Sequence, residues 1–107
     1  MVFNTGAALL DAIVLAVVSK DEAGTYGYRI TQDVRKVIEI SDSTLYPVLR
    51  RLQKNQCLEV YDVECGGRNR RYYKITEIGC QILDEYKKEW KEYSSKISGI
   101  FLGEELS

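Results

Sequence analysis

A mainly α-helical fold with a small β-hairpin is the fold class that three features of this sequence predict. Apolar residues at helical spacing within residues 41–54 predict a short helix with one buried face. Two stretches rich in Val, Tyr and Ile, residues 58–64 and 70–75, flank a pair of glycines and predict a hairpin. A heptad-spaced apolar seam after residue 76 predicts a long last helix. A short helix followed directly by a hairpin is typical of a winged helix-turn-helix.

The first predicted helix, residues 6–18, is apolar on nearly all sides, with Leu9 and Ile13 on its main apolar face. A helix of this kind must be buried on more than one side, and a small domain offers few places to do that. We therefore expect part of it to face a second copy of the chain. Asp11 interrupts this surface, and its carboxylate lies either at the rim of the helix or inside a cavity.

A loop and a second helix, from about residue 26 to 37, lead to the short link 38–40. The isoleucines of this link can also pair as a short strand beside the hairpin. Ser41 or Ser43 can cap the third helix. Because proline is well tolerated only in the first helical turn, Pro47 predicts that this helix begins near Ser43 or is locally distorted.

The third helix has the properties of a recognition helix. One face carries the apolar residues at positions 45, 48, 49 and 52, and the other carries hydroxyl, aromatic and cationic groups. An α-helix fits the major groove of DNA, where exposed side chains reach base edges. The candidates for base contacts are Ser43, Thr44, Tyr46 and Arg50. Arg51 and Lys54 are the candidates for phosphate contacts, which add affinity but little sequence information.

The hairpin supplies a second cationic surface. Gly66 and Gly67 allow the tip to approach a DNA backbone or enter the minor groove, where arginine is favoured. Arg68, Arg70 and Arg71 follow the two glycines and supply the charge. Either surface alone is a weak signal, because charged faces are usually just solvated. Together they predict binding to double-stranded DNA.

The charge distribution agrees with this prediction although the net charge is only −1. Residues 26–75 contain ten Lys or Arg and six Asp or Glu, a balance of +4, and the flanking segments carry the remaining −5. The most amphipathic helix is acidic, which does not suit a membrane surface. The longest apolar run is too short to span a bilayer, and no signal peptide is evident. We expect a cytoplasmic protein.

The last helix, from a cap at Thr76 to about Leu102, carries a seam with alternating spacings of three and four. The seam residues are Leu83, Tyr86, Trp90, Tyr93, Ile97 and Ile100. We expect this seam and the first helix to form a homodimer interface. The chain then divides into a winged helix-turn-helix at 1–75 and a dimerisation helix at 76–107, which form one structural unit.

Three cysteines, no C-x-x-C pair and no histidine make a metal site improbable. Without an evident activated nucleophile the sequence does not predict an enzyme, and no cofactor is expected. Cys65 is the one thiol with a second interpretation, because arginines near an exposed hairpin tip favour its thiolate.

Four motifs resemble the PadR family of transcriptional regulators. They are Ser-Thr-Leu-Tyr-Pro-Val-Leu-Arg-Arg-Leu at 43–52, Gly-Gly-Arg-x-Arg-Arg-Tyr-Tyr at 66–73, Ile-Thr-Glu-x-Gly at 75–79 and Tyr-Gly-Tyr at 26–28. The resemblance implies a homodimer that binds a palindromic operator and usually represses. It also adds Tyr26 to the expected DNA contacts. The short C-terminal region resembles the compact branch of the family.

Some members of that branch bind flat hydrophobic, often cationic, drugs between paired tryptophans at the dimer interface, and others sense phenolic acids. The resemblance implies that Trp90 lines such a site and that Asp11 faces a cationic ligand; the alternative for Trp90 is ordinary packing in the seam. A protein–protein interaction module built on a winged helix, without DNA binding, is the alternative function.

Overall fold

The computed structural model describes the backbone of residues 6–103 and the side chains of residues 8–103. In chain order its elements are α1 (Gly6–Ser19), β1 (Thr25–Tyr26), α2 (Gly27–Arg35), α3 (Asp42–Lys54), β2 (Leu58–Cys65), β3 (Arg68–Ile75) and α4 (Glu77–Leu102). Four helices and a three-stranded antiparallel sheet within the described residues confirm the predicted fold class. The outer limits of the two predicted regions, at residues 1 and 107, lie outside the described residues.

Helix α1 lies at the centre of the core. Its residues Val14, Leu15 and Val18 have no exposed surface. The inward faces of the other helices pack around them, with Ile30 and Val34 from α2, Leu45 and Leu49 from α3, and Leu83 and Tyr86 from α4. Burying this set removes apolar surface from water, which is the main force that holds the helices together.

Strands β2 and β3 form the predicted hairpin, in register from Leu58 opposite Ile75 to Cys65 opposite Arg68. The turn consists of Gly66 and Gly67, with φ values of +56° and +82°. Positive φ at both central residues is the geometry of a two-residue type I′ turn, which matches the twist of the flanking strands. Two glycines adopt this geometry without steric cost.

The third strand is β1, which pairs with β3 by placing Thr25 opposite Tyr73 and Tyr26 opposite Tyr72. The prediction that the isoleucines of the 38–40 link form this strand is wrong. The N–H groups of Val37 and Ile38 close the end of α2 by donating to the Val34 carbonyl at 3.0 Å. The carbonyl of Ile40 accepts from Nε of Arg35 at 2.9 Å. These backbone groups are therefore already bonded elsewhere.

Helix α3 begins at Asp42, with Ser41 in the N-cap position. The helix therefore begins one residue before Ser43, as the first of the two predicted alternatives expects, and Pro47 lies inside it. Proline has no N–H to donate to the carbonyl four residues earlier, which belongs to Ser43. The four buried residues Leu45, Val48, Leu49 and Leu52 confirm the predicted inward face.

Thr76 joins α4 to the rest of the domain. Its hydroxyl accepts from the N–H of Gly79 at 3.0 Å, which confirms the predicted cap, and it donates to the carbonyl of Gln56 at 2.6 Å. The Thr76 N–H donates to the carbonyl of Cys57 at 3.0 Å. Gly79 packs directly on that carbonyl, and a Cβ at this position would overlap it. The start of α4 is thereby held against the residues that follow α3.

We predict that Gly79→Ala destabilises the protein. Alanine favours a helix interior over glycine by about 1 kcal/mol. The overlap with a fixed backbone carbonyl outweighs this gain, so the free energy of unfolding should fall by about 2 kcal/mol. Urea denaturation at matched protein concentration measures the change, and Cys80→Ala at the neighbouring exposed position is the control. A more stable Gly79→Ala variant would contradict the close contact.

Candidate nucleic-acid interface

The beginning of α3 presents a group of hydroxyls to solvent. The Oγ of Ser41 lies 2.9 Å from the Oγ of Ser43 and 3.1 Å from Oγ1 of Thr44. All three residues are exposed. They lie where the helix dipole and the unpaired N–H groups of a first turn favour a negatively charged partner. Ser43 and Thr44, two of the predicted base contacts, both belong to this group.

A cleft opens between the start of α2, the exposed face of α3 and the strand β3. Its volume is about 620 Å³. The residues that line it are Tyr26, Gly27, Tyr28, Tyr46, Arg50, Gln53, Arg70, Arg71 and Tyr73. We call it the Tyr–Arg cleft. It brings together five of the predicted DNA contacts, Tyr26, Tyr46, Arg50, Arg70 and Arg71, from three separate elements.

The hairpin of β2 and β3 is the wing of the winged helix, and aromatic rings hold its Arg70 in place. The guanidinium carbon of Arg70 lies 4.8 Å from the centre of the Tyr26 ring, in a cation–π contact. Tyr26 itself contacts Tyr72, with ring centres 5.6 Å apart, and Tyr72 stacks on Tyr61 at 5.7 Å. Because β1 pairs with β3, Tyr26 is fixed relative to the hairpin. This row of rings orients Arg70 before any ligand binds.

Tyr46 joins the recognition helix to the start of α2. A Cβ built on Gly27 would lie 3.2 Å from the Tyr46 hydroxyl, so this phenol fits against a backbone that has no side chain. Burial raises the pKa of Tyr73 at the base of the cleft, and the nearby Arg71 opposes this rise. The Tyr73 phenol therefore stays protonated at neutral pH and can donate a hydrogen bond.

Four residues of the cleft, Gly27, Tyr28, Gln53 and Tyr73, were not among the predicted contacts. Gln53 follows Arg50 at i+3 on α3, a spacing that puts both side chains on one face. Tyr73 becomes part of the cleft through the pairing of β1 with β3. The tip of the wing stands apart from the cleft. Cys65 and Arg68 are exposed there, and a Cβ added to Gly66 or Gly67 would meet nothing within 4 Å.

Arg51 does not line the Tyr–Arg cleft. Its guanidinium instead forms an ion pair with Asp11 of α1, in which Nε donates to Oδ2 at 3.3 Å and Nη2 donates to Oδ1. The hydrogen bond to Asp11 raises the pKa of Arg51. The two residues were predicted at different sites, Arg51 at the DNA and Asp11 beside a ligand. The structure pairs them with each other, because Arg51 lies at the margin of the exposed face. Lys54, the other predicted phosphate contact, is exposed at the end of α3.

An apolar groove lies on the side of α1 opposite to the Asp11–Arg51 pair, and its volume is about 440 Å³. Its lining residues are Leu9, Ala12, Ile13, Ala16, Val37, Ile38, Leu83, Tyr86, Lys87 and Trp90. Trp90 is 46% exposed, and the centre of its ring lies 6.2 Å from the centre of the Tyr93 ring. Asp11 is not part of the lining, and its carboxylate is already paired. The structure therefore does not support Asp11 as the partner of a cationic ligand.

The predicted seam of α4 is exposed to different degrees along its length. Leu83 and Tyr86 belong to the core of the protomer and form the floor of the apolar groove. Tyr93 and Ile97 are half-buried, whereas Ile100 is 73% exposed. The surface that remains open to a partner therefore increases towards the end of α4.

Burial raises the pKa of the Cys57 thiol, while Cys65 and Cys80 are exposed. Between residues 6 and 103, no three Cys, Asp or Glu side chains are grouped so that they could bind a metal ion. Over the same residues, no helix combines the length and apolar character needed to cross a bilayer.

A winged helix that exposes arginines on both the recognition helix and the wing belongs to the class of winged-helix DNA-binding proteins. The model of the Transcriptional regulator PadR-like family matches residues 14–85, and the chain belongs to this family. It is thus a DNA-binding transcriptional regulator by family.

The chain is also similar to individual proteins, two of which are named as transcription regulators. The chain is 40% identical over 89 residues to an uncharacterized protein of Lysinibacillus sphaericus, covering 78% of this chain and 79% of that protein. It is 32% identical over 75 residues to the transcriptional regulator Rv3488 of Mycobacterium tuberculosis, covering 69% and 70% of the two chains. The crystal structure of smu.1704 from Streptococcus mutans UA159 is similar with a TM-score of 0.85 at 38% identity, covering 100% and 99%. A PadR family transcription regulator from Clostridium difficile R20291 gives a TM-score of 0.75 at 28% identity, covering 87% and 97%.

We predict that Arg70→Ala weakens binding to DNA of any sequence. The side chain is exposed and held over Tyr26, which suits a phosphate contact. The slope of log K against log salt concentration should become shallower by about 0.9 for each phosphate that the variant no longer neutralises. Fluorescence anisotropy at several salt concentrations measures this slope. Lys88→Ala, which removes an exposed cation on α4, is the control, and an equal effect of both variants would contradict the assignment.

Proposed function

We propose that the chain is a homodimeric repressor that binds a palindromic operator. Helix α3 enters the major groove, and the wing follows the adjacent backbone or minor groove. The two protomers join through α1 and α4, so that two copies of α3 face one side of the duplex. A dimer bound across a promoter represses by excluding the polymerase from that DNA.

The Tyr–Arg cleft is the observation that carries this proposal. It combines cations on two elements with the aromatic groups between them, and its walls are the two parts of a winged helix that meet DNA. Arg50 of α3 and Arg70 of β3 both supply positive charge to the cleft, and Tyr46 of α3 lines it with them. A phosphate or a base edge fits such a surface, because arginine donates several hydrogen bonds in a fixed plane.

The apolar groove supports the second half of the proposal. Its lining is almost entirely apolar and includes helix α1, so it offers a surface for a second copy of the chain. Further along α4 the exposed residues Ile100, Phe101 and Leu102 extend this surface. A small aromatic or hydrophobic effector that binds beside Trp90 changes the distance between the two recognition helices. It thereby shifts the population of dimers that fit the operator.

Footprinting on the DNA upstream of the chain's own gene tests the proposal. We expect two protected half-sites about one helical turn apart, roughly 10 base pairs, bound by a species of twice the protomer mass. A monomer without DNA affinity, whose α4 retains another protein instead, would favour the interaction module.

Tyr46→Ala should relax the sequence preference of the dimer. Tyr46 is 39% exposed on the face of α3 that we place in the major groove. We expect the operator affinity to fall about tenfold while the affinity for unrelated DNA stays within about twofold, since base contacts specify and phosphate contacts do not. Competition binding with specific and random duplexes measures the ratio. Equal losses on both duplexes would place Tyr46 on the DNA backbone or in the fold.

Trp90→Ala should abolish the response to an effector without dissociating the dimer. Trp90 is the single tryptophan of the chain, so quenching of intrinsic fluorescence reports on ligands that stack against it. Planar hydrophobic cations and phenolic acids are the two classes to titrate, each followed by measurement of operator release. A Trp90→Ala chain that elutes as a monomer would show that the residue serves dimer packing alone.

A further inference from the structure

The ion pair between Arg51 and Asp11 connects two parts of the molecule with different tasks. Arg51 lies on α3, one residue after Arg50 of the Tyr–Arg cleft. Asp11 lies on α1, on the side opposite to Leu9 and Ile13, which line the apolar groove. The pair therefore links the helix that we place on DNA to a helix that we place in the dimer interface.

The Asp11–Arg51 ion pair is directional, whereas the apolar packing around it is not. Both nitrogens on one edge of the guanidinium face both carboxylate oxygens. A two-point contact of this kind fixes the plane of the guanidinium as well as its distance from the carboxylate. A second ion pair, from Arg35 of α2 to Asp42, is exposed at the first residue of α3. Within the core, α3 is held by Leu45, Leu49 and other aliphatic side chains. Such contacts resist separation of two helices more strongly than a small rotation of one against the other.

Helix α4 lies close to the same pair. Burial raises the pKa of Tyr86 on α4, and the charge of Asp11 raises it further. Tyr86 also forms part of the floor of the apolar groove. Asp11 is thus near both helices of the proposed dimer interface while it holds Arg51. Its side chain is 16% exposed and that of Arg51 is 43% exposed, so solvent weakens the pair without replacing it.

We propose that the Asp11–Arg51 pair is a strut that fixes the angle of α3 relative to the dimer-forming helices, and thereby sets the half-site spacing that the dimer accepts. This inference rests on the proposed function. In a symmetric dimer the distance between the two recognition helices must match the separation of the half-sites along the duplex. Because α3 rotates in both protomers, a small rotation changes the distance between the two recognition helices by twice the shift of one helix. Arg51 and Asp11 are positioning residues here, since neither needs to touch DNA.

The test uses operator duplexes with identical half-sites and a central spacer lengthened or shortened by one or two base pairs. We expect the unaltered chain to prefer one spacer over its neighbours by about tenfold or more. Asp11→Asn and Arg51→Gln should each reduce this preference to about threefold, and the double variant should behave like either single one. Asp84→Asn removes a carboxylate from an exposed ion pair on α4 and is the matched control for charge. It should keep the spacer preference of the unaltered chain.

Arg51→Lys separates the strut from a phosphate contact. Lysine keeps the charge but not the two-point geometry, so the strut predicts a broadened spacer preference for this variant. A phosphate contact predicts instead that Arg51→Lys retains the full preference, that Arg51→Gln makes the salt slope shallower, and that Asp11→Asn strengthens binding to every duplex. That pattern would overturn the inference.

Stability is measured in parallel, because an unfolding variant also binds poorly. A half-exposed pair contributes little, so the melting temperatures of Asp11→Asn and Arg51→Lys should stay within about 5 °C of the unaltered chain. If the unaltered chain selects one spacer and both variants select it equally, only the strut is overturned. If the unaltered chain binds none of the duplexes, the proposed function is overturned and the strut with it.

Discussion

Helix α1 has more apolar surface than a small domain usually gives to a single helix, and the arrangement of the other elements follows from covering it. Val14, Leu15 and Val18 are enclosed by α2, α3 and α4. This enclosure orients α3 with its aliphatic face inward and its polar face outward. The side of α1 that remains lines the apolar groove. The same helix therefore organises the DNA-binding unit and supplies part of the surface through which we expect two copies to join.

The Tyr–Arg cleft shows how little regular structure is needed to bring functional groups together. Strand β1 is two residues long, yet its pairing with β3 fixes Tyr26 beside the wing. Tyr26 is also the residue immediately before α2, so this short strand connects the hairpin to the helix-turn-helix. Gly27 then leaves room for Tyr46 of α3. Three elements that are distant in sequence meet within these few residues.

Most of the fold could be predicted from periodicity, because a helix or a hairpin is specified by neighbouring residues. The inward face of α3, the Gly66–Gly67 turn and the Thr76 cap are all local patterns, and all are confirmed. Strand β1 could not be predicted, since two residues carry no alternation and their partner lies nearly fifty positions away. Arg51 was ambiguous for a different reason. At the margin of a helix face, a long side chain can turn to either side, and only the position of Asp11 in the folded chain decides which.

The exposed Gly66–Gly67 turn at the tip of the wing affects how relatives of this protein can differ in sequence. Gly66 and Gly67 have open space around them, so the apex makes no contribution to the interior of the domain. Its amino acids can be exchanged, within the limits of a two-residue turn, without disturbing the helices. Divergence of target choice between relatives can therefore begin at this apex, where a residue that tolerates positive φ, such as Asn, costs only local backbone strain and leaves the core unchanged.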